Sequence, residues 1–431
     1  MNKQKRKRSR GLIFSEKGFQ KLQSRIRFYE STENSGEKYT FEELSEISGL
    51  AYNTVFKMLK CKKGVDKRTL VKFSLAFDLE LSSDDYILSN LLPNYNSERI
   101  FEWVNLRNTI DVSKFYGRTT ELATIKKWLV EDCCRLVTVY GMGGIGKTAL
   151  SVKLVKEIEG KFDRVLWISL QKASLFKQML ADIIQFLFDK HESEVKTSNS
   201  IKIDLAELFN YLRLHRCLIV FDEIETIMQT GVYSGCYKEE YKNYGQLIRY
   251  IAEISHQSSF LLISRELPKE AAIFDGSNLP VRSIELSGLQ QIEGLKFFHN
   301  FSSSILLKEK LVNNYFGNPF VLIKVAQEIK AVYGGNIHGF FQANNLLCSD
   351  IEELLNQHYQ RLSIFEKKIC QKMMTYTEPI TLLELQECFA SLISPIEIIL
   401  YLESLRRRSL IITKDNFFLL NPLFCILTNT L

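Results

Sequence analysis

Four short apolar runs punctuate the middle of the chain: Leu136-Val137-Thr138-Val139-Tyr140, Phe162 to Leu170, Cys217-Leu218-Ile219-Val220-Phe221 and Ser259 to Ser264. Each is too short for a buried helix and rich in branched and aromatic residues, which predicts strands buried on both faces. Between them the apolar positions shift to helical spacing, as in Ala149 to Ile158. Strand and helix alternating in this way predict a doubly wound parallel sheet, so the chain reads as a multidomain α/β protein.

The flanks carry other periodicities. Thr40 with Glu43 three residues later predicts a capping box opening a short helix that Gly49 ends; Val55 and Leu59 then share one face of a second helix. Near the carboxyl terminus Ile396, Ile399, Leu400 and Leu405 repeat at helical spacing. The runs Leu410-Ile411-Ile412 and Phe417 to Leu420 around the polar Thr413-Lys414-Asp415-Asn416 predict a β-hairpin.

At 431 residues the chain exceeds a single core, and about three domains are expected. No apolar run approaches the roughly 20 residues that span a bilayer, and the basic amino terminus (Lys3, Lys5, Arg6, Lys7, Arg8, Arg10) lacks a signal-peptide core. A cytoplasmic protein without membrane contact is expected. Nine cysteines without a C-x-x-C pair support neither a zinc site nor a disulfide framework. Residues 1–90 hold 18 Lys and Arg against 12 Asp and Glu, while the remainder balances at 38 against 38, so the excess charge is amino-terminal.

That asymmetry bears on the first two helices. Two short helices joined through a glycine turn form a helix-turn-helix pattern, with Lys57, Lys60, Lys62 and Lys63 on or just past the second. Residues 40–63 are therefore a candidate DNA-contacting segment, with a helical unit that only packs against other proteins as the alternative.

The candidate chemistry lies immediately after the first strand. Gly141-Met142-Gly143-Gly144-Ile145-Gly146-Lys147-Thr148 has the G-x-x-x-x-G-K-T spacing of a phosphate-binding loop between strand and helix. Its glycines permit a turn whose N–H groups face phosphate oxygens, and the helix from Thr148 and Ala149 presents its positive end to the anion. Lys147 is expected to reach the β and γ phosphates and Thr148 to offer its hydroxyl to Mg²⁺. The Cys217 strand delivers Asp222 and Glu223 at its carboxyl end, where Asp222 would hold the Mg²⁺ shell and Glu223 polarise an attacking water. The Ser259 strand ends in Arg265, a bidentate donor suited to the γ-phosphate or, alternatively, a surface arginine.

Together these residues resemble the NB-ARC subgroup of the STAND signalling NTPases, the family of the apoptotic protease-activating factor and plant resistance proteins. Phe115-Tyr116-Gly117-Arg118-Thr119-Thr120-Glu121-Leu122 looks like the family's G-R-x-x-E-L segment, which implies that Phe115, Gly117 and Arg118 lie against adenine. Gly317-Asn318-Pro319-Phe320-Val321-Leu322 is similar to the G-x-P-L-A-L motif, whose proline also touches the base. Segments such as Leu286-Ser287-Gly288-Leu289 look especially like cyanobacterial members, which often begin with a helix-turn-helix module. The resemblance implies a basic tail (1–10), a helix-turn-helix module (11–92), a linker (93–112), an NTPase core (113–290), a helical subdomain (291–355) and a winged-helix subdomain (356–431). Two departures stand out. The region Leu420-Asn421-Pro422-Leu423-Phe424 lacks the histidine with which many relatives hold ADP, and the chain contains no internal repeat like the relatives' carboxyl-terminal sensor arrays.

The expected function is an ATP/ADP-dependent conformational switch with Mg²⁺ and slow, weak ATPase activity. It would control homo-oligomerisation or the exposure of the amino-terminal module. The alternatives are a nucleotide-regulated DNA-binding transcriptional regulator and an adaptor for a separately encoded receptor protein.

Overall fold

The computed structural model describes residues 11–34, 39–59, 65–88, 112, 115–188, 201–343, 349–376 and 378–428. The basic tail, residues 93–111 of the expected linker, and Lys60, Lys62 and Lys63 lie outside these residues. The chain divides into two compact units, residues 1–99 and 100–431.

In the first unit β1 (Leu12–Phe14) is followed by α1 (Glu16–Thr32), α2 (Phe41–Ser48), α3 (Tyr52–Leu59) and α4 (Lys67–Leu75), and β2 (Tyr86–Leu88) returns antiparallel to β1. The expected capping box is present, with Thr40 and Glu43 satisfying each other's backbone N–H, and Gly49 ends α2 in the left-handed region at φ 58°. Leu22, Leu44, Val55, Leu70, Phe73 and Phe77 form the small core. Lys21 lies 2.8 Å from the buried carboxylate of Asp85. That ammonium and the Ser82 hydroxyl hold the Asp85 pKa down at about 2.

The second unit begins with α5 (Thr119–Val130), β3 (Leu136–Tyr140), α6 (Lys147–Ile158), β4 (Arg164–Ser169), α7 (Phe176–Phe188), α8 (Ile201–Leu214), β5 (Cys217–Asp222), α9 (Lys242–Glu253), β6 (Ser259–Ser264), α10 (Lys269–Phe274) and β7 (Val281–Glu285). The five strands form one parallel sheet in the order β4-β5-β6-β3-β7. The expected doubly wound sheet is thus present. Every residue of β3, β5 and β6 is buried, which is why these strands read as continuous apolar runs. Alternate residues serve opposite faces: Ile219, Phe221 and Leu262 pack with α7 to α9, while Val137, Val139, Val220 and Ile263 pack with α5 and α6. The strand order has a functional consequence. With β6 between β3 and β5, the residues after β6 emerge between the glycine loop and the acids after β5.

Beyond the sheet follow α11 (Gln291–Gly294), α12 (Ile305–Asn314), α13 (Pro319–Val332), α14 (Ile337–Gln342), α15 (Ser349–Gln360), α16 (Ile364–Met374), β8 (Ile380–Thr381), α17 (Leu382–Phe389), α18 (Pro395–Arg407), β9 (Ile411–Lys414), β10 (Phe417–Leu420) and α19 (Pro422–Thr428). The hairpin appears as expected, with Leu419 opposite Ile412, and β8 completes a three-stranded sheet. Capping boxes at Ser363/Glu366, Thr381/Glu384 and Ser394/Glu397 set the starts of α16, α17 and α18. One core runs through α12 to α19, and Met142 of the glycine loop is part of it.

Candidate phosphate site and its closing face

The glycine loop joins β3 to α6. Gly146, at φ 96°, is the residue before the first turn of α6, a conformation that Lys147 and Thr148 could not take cheaply. The Lys147 ammonium is buried and donates to the carbonyls of Gly141 and Met142, each at 2.9 Å. Burial pushes its pKa down to about 8, opposed by Glu225 and then Asp222, while Arg265 adds to the depression. A buried cation hydrogen-bonded to two neutral carbonyls is a site prepared for an anion.

The two positions expected to ligate metal also converge. Thr148 Oγ1 is 3.4 Å from Asp222 Oδ1, a hydroxyl and a carboxylate of the hard-oxygen kind that Mg²⁺ takes. Burial raises the Asp222 pKa to about 7, helped by the charges of Glu223 and Glu225. A bound divalent cation would relieve this. Glu223 sits at φ 61°, and its carboxylate accepts a 2.7 Å hydrogen bond from Ser169 Oγ at the end of β4. Arg265 stands between loop and acids, as the strand order requires. Its backbone N–H donates to Glu225 Oε2, its Nε lies 3.2 Å from Glu225 Oε1, and its Nη1 donates to Gln357 Oε1 at 2.8 Å. Glu225, which no sequence motif marks, is therefore what aims Arg265.

Residues far along the chain close the other side of the loop. The N–H of Gly143 donates to Nε2 of His358 at 2.8 Å, and the carbonyl of Gly143 accepts from Asn318 Nδ2 at 3.1 Å. The carbonyl of Gly144 accepts from the N–H of Phe320. A Cβ on Gly144 would fall 2.7 Å from Cβ of Phe320, at a φ of 74° that already favours glycine. Asn318 also caps α13 by accepting from Val321 N–H, and Pro319 occupies the first turn, where its missing N–H costs nothing. Gly317, at φ 62°, lets the chain cross Leu289: a Cβ there would meet Leu289 O at 2.2 Å. His358 is buried, and burial, followed by the charges of Arg265, Lys147, Arg361 and Arg408, drives its pKa well below the usual imidazole value. It is a neutral ring accepting at Nε2, which places its proton on Nδ1.

Behind His358 runs a buried ionic network. Glu266, next to Arg265, pairs with Arg361 at the end of α15 and with Arg408 after α18, the latter at 3.2 Å. Arg408 donates to the carbonyls of Arg361 and Val232. The loop after β5 adds Gly231 N–H to Arg361 O, Ser234 N–H to Ser404 Oγ, and Tyr233 stacked on Tyr401 with 4.8 Å between centroids.

Residues 118–242 match the NB-ARC domain family. The chain carries an NB-ARC domain. An uncharacterized WD repeat-containing protein of Nostoc sp. is 41% identical over 315 residues, covering 70% of this chain and 25% of that protein. A probable disease resistance protein of Arabidopsis thaliana is 30% identical over 144 residues, covering 31% of this chain and 20% of its own. The chain thus spans about a quarter or less of these relatives' length. Among solved structures, the Walker-type ATPase of Pyrococcus abyssi aligns with a TM-score of 0.48 and 16% identity, over 73% of this chain and 96% of that one.

Within the NB-ARC chain, Arg118 is a buried strut. Its guanidinium binds Glu121 at 2.8 Å and the carbonyls of Ile145 and Ser287 at 3.1 and 2.6 Å, tying the segment before α5 to the glycine loop and to the crossing after β7. A polar cleft of about 230 Å³ lies beside it, bordered by Thr119, Glu121, Ser287 and Glu293. Phe115 packs against the α5 and α6 side of the sheet, Gly117 against the carboxylate of Glu293, and Pro319 near Gly146. As read from the sequence, residues 420–424 hold no histidine, yet the NB-ARC loop does receive one, from α15. Among the described residues no cluster of His, Cys, Asp and Glu forms another metal site, and no helix is long and apolar enough to cross a membrane.

Proposed function

We propose that the chain is a signalling switch that binds ADP or ATP with Mg²⁺, hydrolyses ATP slowly, and changes the packing of its carboxyl-terminal helices with nucleotide state. One observation carries this reading: the loop with phosphate-binding chemistry is itself hydrogen-bonded by Asn318, Phe320 and His358, so its ligand and its lid share atoms. In this reading Lys147 and the backbone from Gly143 to Ala149 hold phosphates, and Thr148 and Asp222 hold Mg²⁺. Bound Mg²⁺ would neutralise charge on the β and γ oxygens. Glu223 positions water once released from Ser169, Arg265 meets the γ-phosphate, and Phe115, Gly117 and Pro319 border the base with Arg118 bracing them. Residues 113–290, 291–355 and 356–431 act as core, helical and winged-helix parts, in a cytoplasmic protein that assembles with copies of itself or with a protein partner.

Light scattering after size exclusion, on wild type and Glu223→Gln in ADP and in ATP, tests the switch. A nucleotide-dependent mass or shape is expected. Identical elution in both nucleotides, with both bound, rejects it. For the amino-terminal unit the tight Gly49 turn between α2 and α3 supports DNA contact through residues 40–63. A gel shift of the full chain that is lost as salt rises is the expected result, and no shift at low salt rejects it.

A further inference from the structure

One end of one helix holds two donors of the phosphate site at once. Gln357 and His358, consecutive in the last turn of α15, accept from Arg265 Nη1 and from Gly143 N–H, each at 2.8 Å. The two donors adjoin each other, since a Cβ on Gly143 would lie 3.0 Å from His358 Nε2 and 3.6 Å from the Arg265 guanidinium carbon. Leu354, one turn earlier on α15, reaches the same spot at 2.6 Å. Arg361, in the residue after α15, pairs with Glu266, and Glu266 directly follows Arg265 in the chain. The last turn of α15 therefore contacts both donors at once.

We propose that Gln357 and His358 are the residues that set the choice between nucleoside diphosphate and triphosphate, by occupying the donors a γ-phosphate would take. The proposal rests on the reading of Gly141 to Thr148 and Arg265 as a nucleotide site. Its chemistry follows from the acceptor types. An amide oxygen and a neutral imidazole nitrogen satisfy a buried N–H and a guanidinium without adding negative charge. At Gly143 a phosphate oxygen would replace a neutral hydrogen bond by a charge-assisted one, roughly twice as strong, and at Arg265 it would put an anion where the acceptor is a neutral amide. Neutral acceptors therefore yield to a γ-phosphate, and a carboxylate at either position would not. A diphosphate, ending one phosphate short, leaves both contacts of α15 intact. A triphosphate must displace them, and with them the Glu266 network that carries the carboxyl-terminal helices.

Calorimetric titration of the full chain with ADP and with a non-hydrolysable ATP analogue, both with Mg²⁺, tests this in wild type, His358→Ala and Gln357→Glu. For His358→Ala the triphosphate is expected to bind at least about tenfold tighter than to wild type, with ADP affinity within about twofold. Gln357→Glu, at an exposed position, is expected to shift the ratio the other way by placing a carboxylate on Arg265. If both affinities move together in each variant, or the ratio stays at the wild-type value, α15 does not discriminate and the proposal is overturned. If His358→Ala fails to fold, the Gln357→Glu ratio decides alone. Absence of binding of either nucleotide to wild type would instead refute the nucleotide site itself.

Discussion

Two pieces of the molecule end at Gly143 and are held there by different physics. The glycine loop is a local construction: eight consecutive residues, fixed between a fully buried strand and a helix, with Lys147 folded onto its own loop carbonyls. The end of α15 is a distant one, held by single side-chain acceptors at Gln357 and His358 and, behind them, by ions that water does not reach. The loop side is positive. The α15 side is neutral where it touches the loop and ionic only where it is anchored. That division suits the proposed switch, in which the contact breaks at the phosphate while its anchor decides how far the break travels.

The anchor should show the largest effect. Glu266→Ala leaves Arg361 and Arg408 buried without their shared carboxylate, and breaking such a pair costs about 3–5 kcal/mol. Chemical denaturation should reveal it as a lower midpoint for the second unit. A loss under about 1 kcal/mol would mean that Glu366, 3.7 Å from Arg408 Nε, takes over, and that the anchor is redundant. On the loop side, Lys147→Ala should weaken ADP and ATP alike, by about 30- to 150-fold for a lost charge-assisted bond of about 2–3 kcal/mol. Equal loss for both nucleotides would set this residue apart from Gln357 and His358, whose variants should alter the ratio.

Between the two falls Gly144. A methyl group there would meet Cβ of Phe320 at 2.7 Å on a backbone that disfavours side chains, so Gly144→Ala should destabilise closure by about 1–3 kcal/mol. Faster proteolysis of the carboxyl-terminal helices, with the sheet left resistant, would locate the damage at the meeting of loop and lid. Uniform sensitivity would place it within the loop.

The same contrast separates what the sequence makes legible from what it hides. The glycine loop, Asp222, Glu223 and Arg265 were visible because each sits at the end of an apolar run whose length betrays a buried strand, and parallel strands deliver their carboxyl ends to one edge. The hairpin Ile411–Leu420 and the cap at Thr40 are legible because their signals are local, contained in one short stretch of consecutive residues. His358 gave no such sign. It lies on the apolar face of α15 beside Leu354 and Leu355, where spacing marks it only as inward-facing, and its partner is 215 positions away. The family resemblance points instead to residues 420–424, which hold no histidine. Glu225 and Glu266, each just past a recognised motif residue, were equally silent, because a carboxylate's burial depends on arginines that only the fold brings to it.

The gentlest test of the comparison is pH. In the closed form His358 is neutral, faced by Arg265, Lys147, Arg361 and Arg408, and its pKa lies well below that of an exposed imidazole near 6.5. The closed form thus binds fewer protons than an opened one. Its stability is complete above about pH 6.5 and declines as pH falls from there toward the depressed closed-form value. By about pH 5.8 the cost reaches about 1 kcal/mol, since each unit below 6.5 is worth at most about 1.4 kcal/mol. Hydrogen exchange of peptides covering Gly143, corrected for the intrinsic rate, should therefore show protection falling between pH 7 and 5.8 in wild type. His358→Gln keeps an acceptor but cannot titrate, so its protection should stay level. If both proteins lose protection in parallel, the acid sensitivity does not arise at His358, and protonation of its ring is not what parts the loop from α15.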